Sequence, residues 1–120
     1  MKLITKQIKK DLLANFNNTN KDGLKPPLKL FCPWGGATWL ISEMEQDNED
    51  ILFGLADLGH GSPELGYVSL SELASIRGPL GLKIERDIYF EPDRSLVQYA
   101  DDARLEQMVS KSKYRVAGAI

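Results

Sequence analysis

The sequence predicts an α+β fold: a single domain with a mostly antiparallel, twisted sheet of about five strands and three helices packed on it. Three observations lead to this prediction. Helix-like and strand-like segments are interspersed along a chain of only 120 residues, a length that suits one domain. The early strand-like segments are joined by short turns, which favour antiparallel pairing. Two capping boxes then mark helices later in the chain.

A first helix is predicted over residues 5–17. Apolar side chains recur every four positions and therefore fall on one helical face: Ile4, Ile8, Leu12 and Phe16. Thr5 is placed to cap the N-terminus, since its hydroxyl can accept a backbone N–H bond. The segment NNTNKDGLKPP that follows is rich in Asn, Asp, Gly and Pro, and it is predicted to be a loop within the domain.

Strand-forming residues dominate four further segments. Residues 28–32 and 37–44 flank the glycine turn PWGG and are predicted to form a hairpin. Residues 51–58, ILFGLADL, are apolar on both alternating faces, which is typical of a central strand covered on both sides. Residues 82–90 alternate between apolar and mainly charged side chains, although Arg86 falls among the apolar positions.

Two capping boxes predict the remaining helices. In SLSE the Ser69 hydroxyl can bond the Glu72 N–H, and the Glu72 carboxylate can reach back to the Ser69 N–H. Ser95 and Gln98 have the same spacing and start a last helix.

The whole chain, 1–120, is interpreted as one domain. Residues 101–120 are predicted to comprise the end of the last helix and a basic tail.

Composition narrows the class of protein. No apolar run approaches the roughly 20 residues that span a bilayer, and the N-terminal MKLITKQIKK lacks the apolar centre of a secretion signal. The single cysteine, Cys32, excludes an internal disulfide. We therefore expect a cytoplasmic protein without membrane association.

Charge is distributed unevenly along the chain. Residues 1–30 carry seven lysines and two aspartates, residues 31–72 carry eight acidic side chains and no lysine or arginine, and the rest is nearly balanced. The acidic middle either complements the basic N-terminal segment within the fold or docks a basic protein partner. The net charge of −2 argues against general nucleic-acid binding.

The glycine-rich stretch GHGSPELG supplies the first candidate polar residues. Asp57, His60 and Glu64 have side chains that suit a divalent ion, with a carboxylate to activate a bound water. The same pattern suits a tight turn in which Asp57 accepts N–H bonds from its own loop. The turn is the interpretation we favour.

The strip ERD supplies the second set. Glu85 and Asp87 share one face of a strand, about 7 Å apart, while Arg86 faces the other way. An inward guanidinium needs a carboxylate partner, because burying it unpaired is costly, and Asp57 or Glu64 is expected to supply one. A structural ion pair is therefore favoured over a catalytic cluster, and no catalytic residue, metal site or cofactor is predicted.

A candidate binding surface lies around the first hairpin. Trp34 falls on the glycine turn and is expected to be exposed, and an exposed tryptophan is a frequent energetic centre of protein interfaces. Trp39, Glu43 and Glu45 complete the predicted surface.

The blocks KLITKQIKKDLLAN, KLFCPWGGATWLISEM, FGLADLGHGSPELGYVSLSEL and GPLGLKIERDIYFEPDRSLVQYA resemble, in order, those of a bacterial family, domain of unknown function 2958. The segments GATWL, DLGxGxPELGYVSL and ERD carry most of the resemblance, which extends over residues 1–100. It implies an accessory role in conjugative plasmids and integrative elements, often near antirestriction genes. The resemblance brings no assigned activity, cofactor or catalytic residue.

The leading hypothesis is therefore a non-catalytic module that binds another protein, in element maintenance or evasion of host defence. One alternative is a metal-assisted hydrolase or nuclease, which requires Asp57, Glu64, Glu85 and Asp87 to converge. Another is nucleic-acid binding through basic side chains of the first helix and the tail: Lys6, Lys9, Lys10, Lys111, Lys113 and Arg115.

Overall fold

Five strands form a single sheet in which every neighbouring pair is antiparallel. The computed structural model describes residues 2–59 and 61–106. Its strands are β1 (Leu28–Phe31), β2 (Thr38–Met44), β3 (Ile51–Asp57), β4 (Glu64–Ser69) and β5 (Glu85–Arg86). They lie in the order β4-β3-β2-β1-β5, so β4 and β5 are the two edges of the described sheet.

Three helices accompany the sheet: α1 (Lys6–Phe16), α2 (Leu70–Ser75) and α3, which comprises helical residues 96–106. A short 3-10 turn, Pro79–Gly81, follows α2. The predicted α+β fold, with about five antiparallel strands and three helices, is confirmed. The described helices are all too short or too polar to cross a lipid bilayer.

The two faces of the sheet are covered differently. One face, here called the α1 face, carries the larger apolar cluster, which includes Leu30, Trp39, Ile41 and Leu52 and is covered by α1 and α2. The opposite face, the α3 face, carries a smaller cluster in which α3 packs on Leu55. The α3 face is thus only partly covered by the described helices.

Helix α1 forms as its four-residue repeat predicts. Leu12 is fully buried, and Ile4, Ile8 and Leu13 pack against the same cluster. Burying one leucine contributes about 1.5–3 kcal/mol, so this stripe holds the helix on the sheet. The Thr5 hydroxyl accepts the Ile8 N–H at 3.1 Å, which confirms the predicted cap.

The two capping boxes differ in how they are completed. Gln98 accepts the Ser95 N–H at 2.9 Å and donates its own N–H to the Ser95 hydroxyl at 3.2 Å, a complete box. At α2 the Ser69 hydroxyl accepts the Glu72 N–H at 3.2 Å, as predicted, but the predicted return bond from the Ser69 N–H to the Glu72 carboxylate is not formed. Asp50, from the turn between β2 and β3, accepts the Ser71 N–H at 2.8 Å and the Ser69 hydroxyl at 2.6 Å.

Two predicted segments differ from the structure. No strand is predicted between the turn GHGSP and the helix start at Ser69, yet residues 64–69 form the edge strand β4. Residues 82–90 were predicted as one strand, but only Glu85–Arg86 pair with β1, and Ile88 is exposed rather than inward. The reason is that the chain turns away from β1 after Asp87, whose carboxylate accepts the Tyr89 N–H at 3.0 Å and whose carbonyl accepts the Phe90 N–H at 3.3 Å.

Strand β2 contains a bulge between Ile41 and Glu43. Strict alternation from Trp39 and Ile41 would turn Glu43 toward the α1 face. Because Ser42 is the extra residue, Glu43 instead pairs with Phe53 on the α3 face, and Met44 enters the core.

Gly54 lies opposite the residue that precedes this bulge. A Cβ added at Gly54 would lie 2.1 Å from the Leu40 carbonyl oxygen and 2.9 Å from the Ile41 Cα. Both are backbone atoms of β2, so the neighbouring strand itself requires a glycine here.

We expect Gly54→Ala to lower the free energy of unfolding by about 3 kcal/mol or more, because the methyl group forces β2 and β3 apart. Gly66→Ala, on the adjacent strand β4, is the matched control, since an added Cβ there meets nothing within 4 Å. It should change stability by no more than about 1 kcal/mol. Urea denaturation of both variants measures the difference, and equal midpoints would contradict the predicted contact.

Candidate functional site

The order of the strands separates the polar residues predicted to form one cluster. Asp57 ends β3 and Glu64 begins β4, whereas Glu85 and Arg86 form β5 at the opposite edge. Through Phe31 and Thr38, Glu85 lies three strand spacings from Asp57, about 14 Å. Four converging carboxylates, as the hydrolase alternative requires, are therefore not formed.

Arg86 does not pair with Asp57 or Glu64, and that expectation is wrong. Its guanidinium donates to the Lys2 carbonyl oxygen at 2.6 Å, a backbone acceptor of the N-terminal segment. The position opposite Leu30 places Arg86 on the α1 face at the sheet edge, where it is half-buried. Because the Arg86 side chain is only partly buried and donates to a backbone carbonyl, it does not need a carboxylate partner.

Asp57 has the structural role that its loop predicts. Its carboxylate accepts the Gly59 N–H at 3.1 Å, which makes an Asx-type turn. Gly59 has a φ of 82°, a left-handed conformation that favours glycine. His60 lies outside the described residues. Within residues 2–59 and 61–106, no three acidic, histidine or cysteine side chains are grouped as metal ligands would be.

Asp87 also serves locally. It accepts the Tyr89 N–H at 3.0 Å, and its carboxylate lies 3.8 Å from the Lys29 ammonium. Neither contact involves Asp57 or Glu64, so Asp87 belongs to the β1–β5 edge.

The two tryptophans of the predicted surface face inward. Trp39 is only 6% exposed, because it points into the core of the α1 face. Trp34 is half-buried and packs so closely on Gly78 that an added Cβ would lie 2.4 Å from its ring. The prediction that Trp34 is exposed is therefore wrong: its turn folds back onto the segment after α2.

The two glutamates of that surface line a groove on the α3 face. We call it the acidic–aromatic groove, and its volume is about 320 Å³. Six side chains line it: Phe16, Lys21, Glu43, Glu45, Phe53 and Tyr67. The sequence predicts Glu43 and Glu45 as surface residues but does not single out the three aromatic rings of the groove. Tyr67 in particular lies on β4, a strand that the sequence pattern does not predict.

The aromatic wall of the groove is formed by a cross-strand row. Glu43 of β2, Phe53 of β3 and Tyr67 of β4 are paired neighbours. The Phe53 and Tyr67 rings meet edge to face, with their centroids 5.1 Å apart. Tyr67 is nevertheless 67% exposed, so most of its surface faces solvent rather than the protein.

Lys21 lines the groove at the end that lies next to α1. Its ammonium donates to the Asn15 and Phe16 carbonyl oxygens at 2.8 and 2.7 Å, which lie in the last turn of α1, where carbonyl groups lack partners within the helix. It also pairs with Glu43 at 2.9 Å and lies 5.6 Å from the centre of the Phe16 ring. Glu43 is thereby neutralised, whereas Glu45 forms no ion pair with any described residue.

A second polar arrangement lies at the other end of the α3 face. Arg94 pairs with Asp93 at 2.9 Å and with Asp102 at 2.7 Å, and the Tyr99 hydroxyl donates to Asp93 at 2.9 Å. The Arg94 hydrogen bond is the main reason why the pKa of Asp93 falls to about 2. Burial is the main reason why the pKa of Tyr99 is raised. Because all four side chains lie in or just before α3, these contacts stabilise the start of that helix.

The basic side chains of the nucleic-acid alternative are only partly described. Lys9 pairs with Glu49, and Lys6 and Lys10 are exposed on α1. The tail residues of that hypothesis lie outside the described residues: Lys111, Lys113 and Arg115.

Comparison with known families adds one finding. The family model described as "Protein of unknown function (DUF2958)" matches residues 3–110. The chain belongs to this family. The resemblance drawn from the sequence blocks is thus confirmed, and the match continues ten residues past Ala100. A search of curated proteins and a search of solved structures each returned no match.

We expect Lys21→Met to lower the free energy of unfolding by about 1 kcal/mol. The carbonyl groups at the C-terminal end of α1 lose the ammonium that donates to them, and Glu43 loses its ion-pair partner. Lys25→Met, an exposed lysine of the same loop, is the control and should leave stability unchanged. Thermal denaturation of both variants at low salt measures the two changes in stability, and an equal effect of the two substitutions would contradict the prediction.

Stability should also depend on Asp93 at low pH. Because the folded pKa of about 2 lies below that of an unfolded aspartate, the carboxylate stabilises the fold fully above about pH 4. This contribution is lost as the pH falls through 2. We expect Asp93→Asn to be less stable than the wild type at pH 6 and equally stable below pH 2. A difference that stays constant from pH 6 to pH 2 would refute this assignment.

Proposed function

We propose that this chain is a non-catalytic protein-binding module that docks a basic segment of another protein in the acidic–aromatic groove. The observation that carries the proposal is the exposed Tyr67 ring, set against Phe53 and beside Glu43 and Glu45. Tyrosine combines a rigid apolar ring with a polar end, and it is enriched among residues that dominate interface energies.

Charge supports a basic partner. The groove carries two carboxylates and one ammonium, and Lys21 already neutralises Glu43. The chain from residue 31 to residue 72, which supplies all the groove residues except Phe16 and Lys21, has eight acidic side chains and no basic one. Such a field speeds the approach of a positively charged partner and penalises an acidic one.

The location of the groove supports access by a second chain. Tyr67 lies on β4, one of the two edge strands of the described sheet, so the groove opens at an edge rather than in the middle of a covered face. In contrast, Tyr89, the other exposed tyrosine among the residues that the structure describes, is 86% exposed on a loop after β5 and lies outside the groove. Exposure alone therefore does not distinguish Tyr67 from Tyr89. What distinguishes Tyr67 is its position in the groove beside Phe53 and the two glutamates.

An accessory role in a mobile genetic element is part of the same proposal. It is supported by the family resemblance, which implies such a setting without implying an activity. A binding module acts by occupying a partner, so it needs no convergent catalytic groups of its own.

The test compares two tyrosine variants. Wild type, Tyr67→Ala and Tyr89→Ala are used to capture proteins from a bacterial lysate, and each captured protein is then purified and titrated by calorimetry. We expect Tyr67→Ala to weaken binding about tenfold or more, since a central interface tyrosine contributes more than 1 kcal/mol. Tyr89→Ala should bind as the wild type does.

Glu45→Gln provides a second variant that leaves the ring in place. It should slow association and reduce the salt dependence of binding, because it removes one charge facing the partner. A partner whose affinity is the same for wild type, Tyr67→Ala and Glu45→Gln would place the interface elsewhere and overturn the proposed function.

A further inference from the structure

We propose that the acidic–aromatic groove is a recognition site for a single arginine side chain of the partner. This inference rests on the proposed function and names the group that the groove binds. The groove has about 320 Å³, near the lower end of the roughly 300–1,000 Å³ typical of ligand pockets, so it suits one long side chain rather than a larger ligand.

The aromatic rings provide the surface on which a cation stacks. Phe53 and Tyr67 meet at an interplanar angle of 63°, so the two rings form a corner rather than a flat stack. The greater part of Tyr67 is open to solvent. A guanidinium lying over such a ring gains a cation–π contact and keeps its in-plane N–H groups free for hydrogen bonds.

Glu45 provides the counter-charge. It follows Met44, which faces the core, so its side chain is directed to the α3 face and lines the groove with Phe53 and Tyr67. Its carboxylate offers two oxygens to a planar fork of N–H donors, the geometry that guanidinium matches in a bidentate pair.

Lys21 shows why the groove favours arginine over lysine. Its ammonium uses three acceptors within 2.9 Å: the Asn15 and Phe16 carbonyls and the Glu43 carboxylate. These are the clustered acceptors that a compact ammonium needs, and the protein's own lysine occupies them. What is left for an incoming cation is a ring surface and one carboxylate, which suit a flat, weakly hydrated guanidinium.

Four short blocked peptides test this directly with the 120-residue chain. They are identical except for one central residue, which is arginine, lysine, citrulline or norleucine, and binding is followed by shifts of backbone amide signals in NMR titrations. We expect the arginine peptide to shift the amides of Phe53, Tyr67 and Glu45. The lysine peptide should bind about fivefold or more weakly, and the two neutral peptides should cause no such shifts.

Variants of the protein locate the effect. Tyr67→Ala and Glu45→Gln should each abolish the arginine-specific shifts. Glu64→Gln, an exposed glutamate of β4 that pairs with Ala56 rather than lying in the groove, should preserve them. The unchanged amide spectrum outside the groove shows that each variant is folded.

The outcomes separate the inference from the proposed function. Equal binding of the arginine and citrulline peptides, or shifts that survive in Tyr67→Ala, would overturn the arginine site. If a captured partner still depends on Tyr67 but tolerates replacement of its arginines by lysine, the arginine site is wrong and the binding module stands. Loss of affinity on replacing one partner arginine, cancelled in the Glu45→Gln background, supports both.

Discussion

The bulge at Ser42 is the constraint on which the arrangement of this protein depends. One extra residue in β2 reverses which side chains face which side of the sheet. Met44 enters the core as a result, and Glu43 moves to the opposite face. The Asn15 side chain, from α1, donates to the Ser42 carbonyl at 2.9 Å and so ties the bulge to the helix. Core and groove are therefore consequences of the same backbone irregularity.

The bulge also sets requirements on its neighbours. β3 comes so close to the backbone of β2 that only a glycine fits at position 54. On the far side of β3, the pairing of Phe53 with Tyr67 extends the row that starts at Glu43 to the edge of the sheet. At the helical end of the groove, Lys21 joins the last turn of α1 to Glu43. The groove is thus held from both sides by contacts that also stabilise the fold.

The same strand order explains why the conspicuous polar residues do not form a catalytic cluster. Asp57 and Arg86 lie toward opposite edges of the sheet, with β2 and β1 between them. Each is satisfied by backbone close to it in space: Asp57 by the Gly59 N–H and Arg86 by the Lys2 carbonyl. Under the proposed function, it is the exposed and less conspicuous Tyr67 that contacts the partner.

The sequence by itself determined the local structure. The repeat of α1, the Thr5 cap and the Ser95 box depend on residues within four positions of one another, and each forms as predicted. It also indicated the family, the fold class and the turn at Asp57. The tertiary structure alone decided the bulge, the edge strand β4 and the burial of Trp39. These depend on which strands become neighbours, and local spacing carries little information about contacts between residues far apart in the chain.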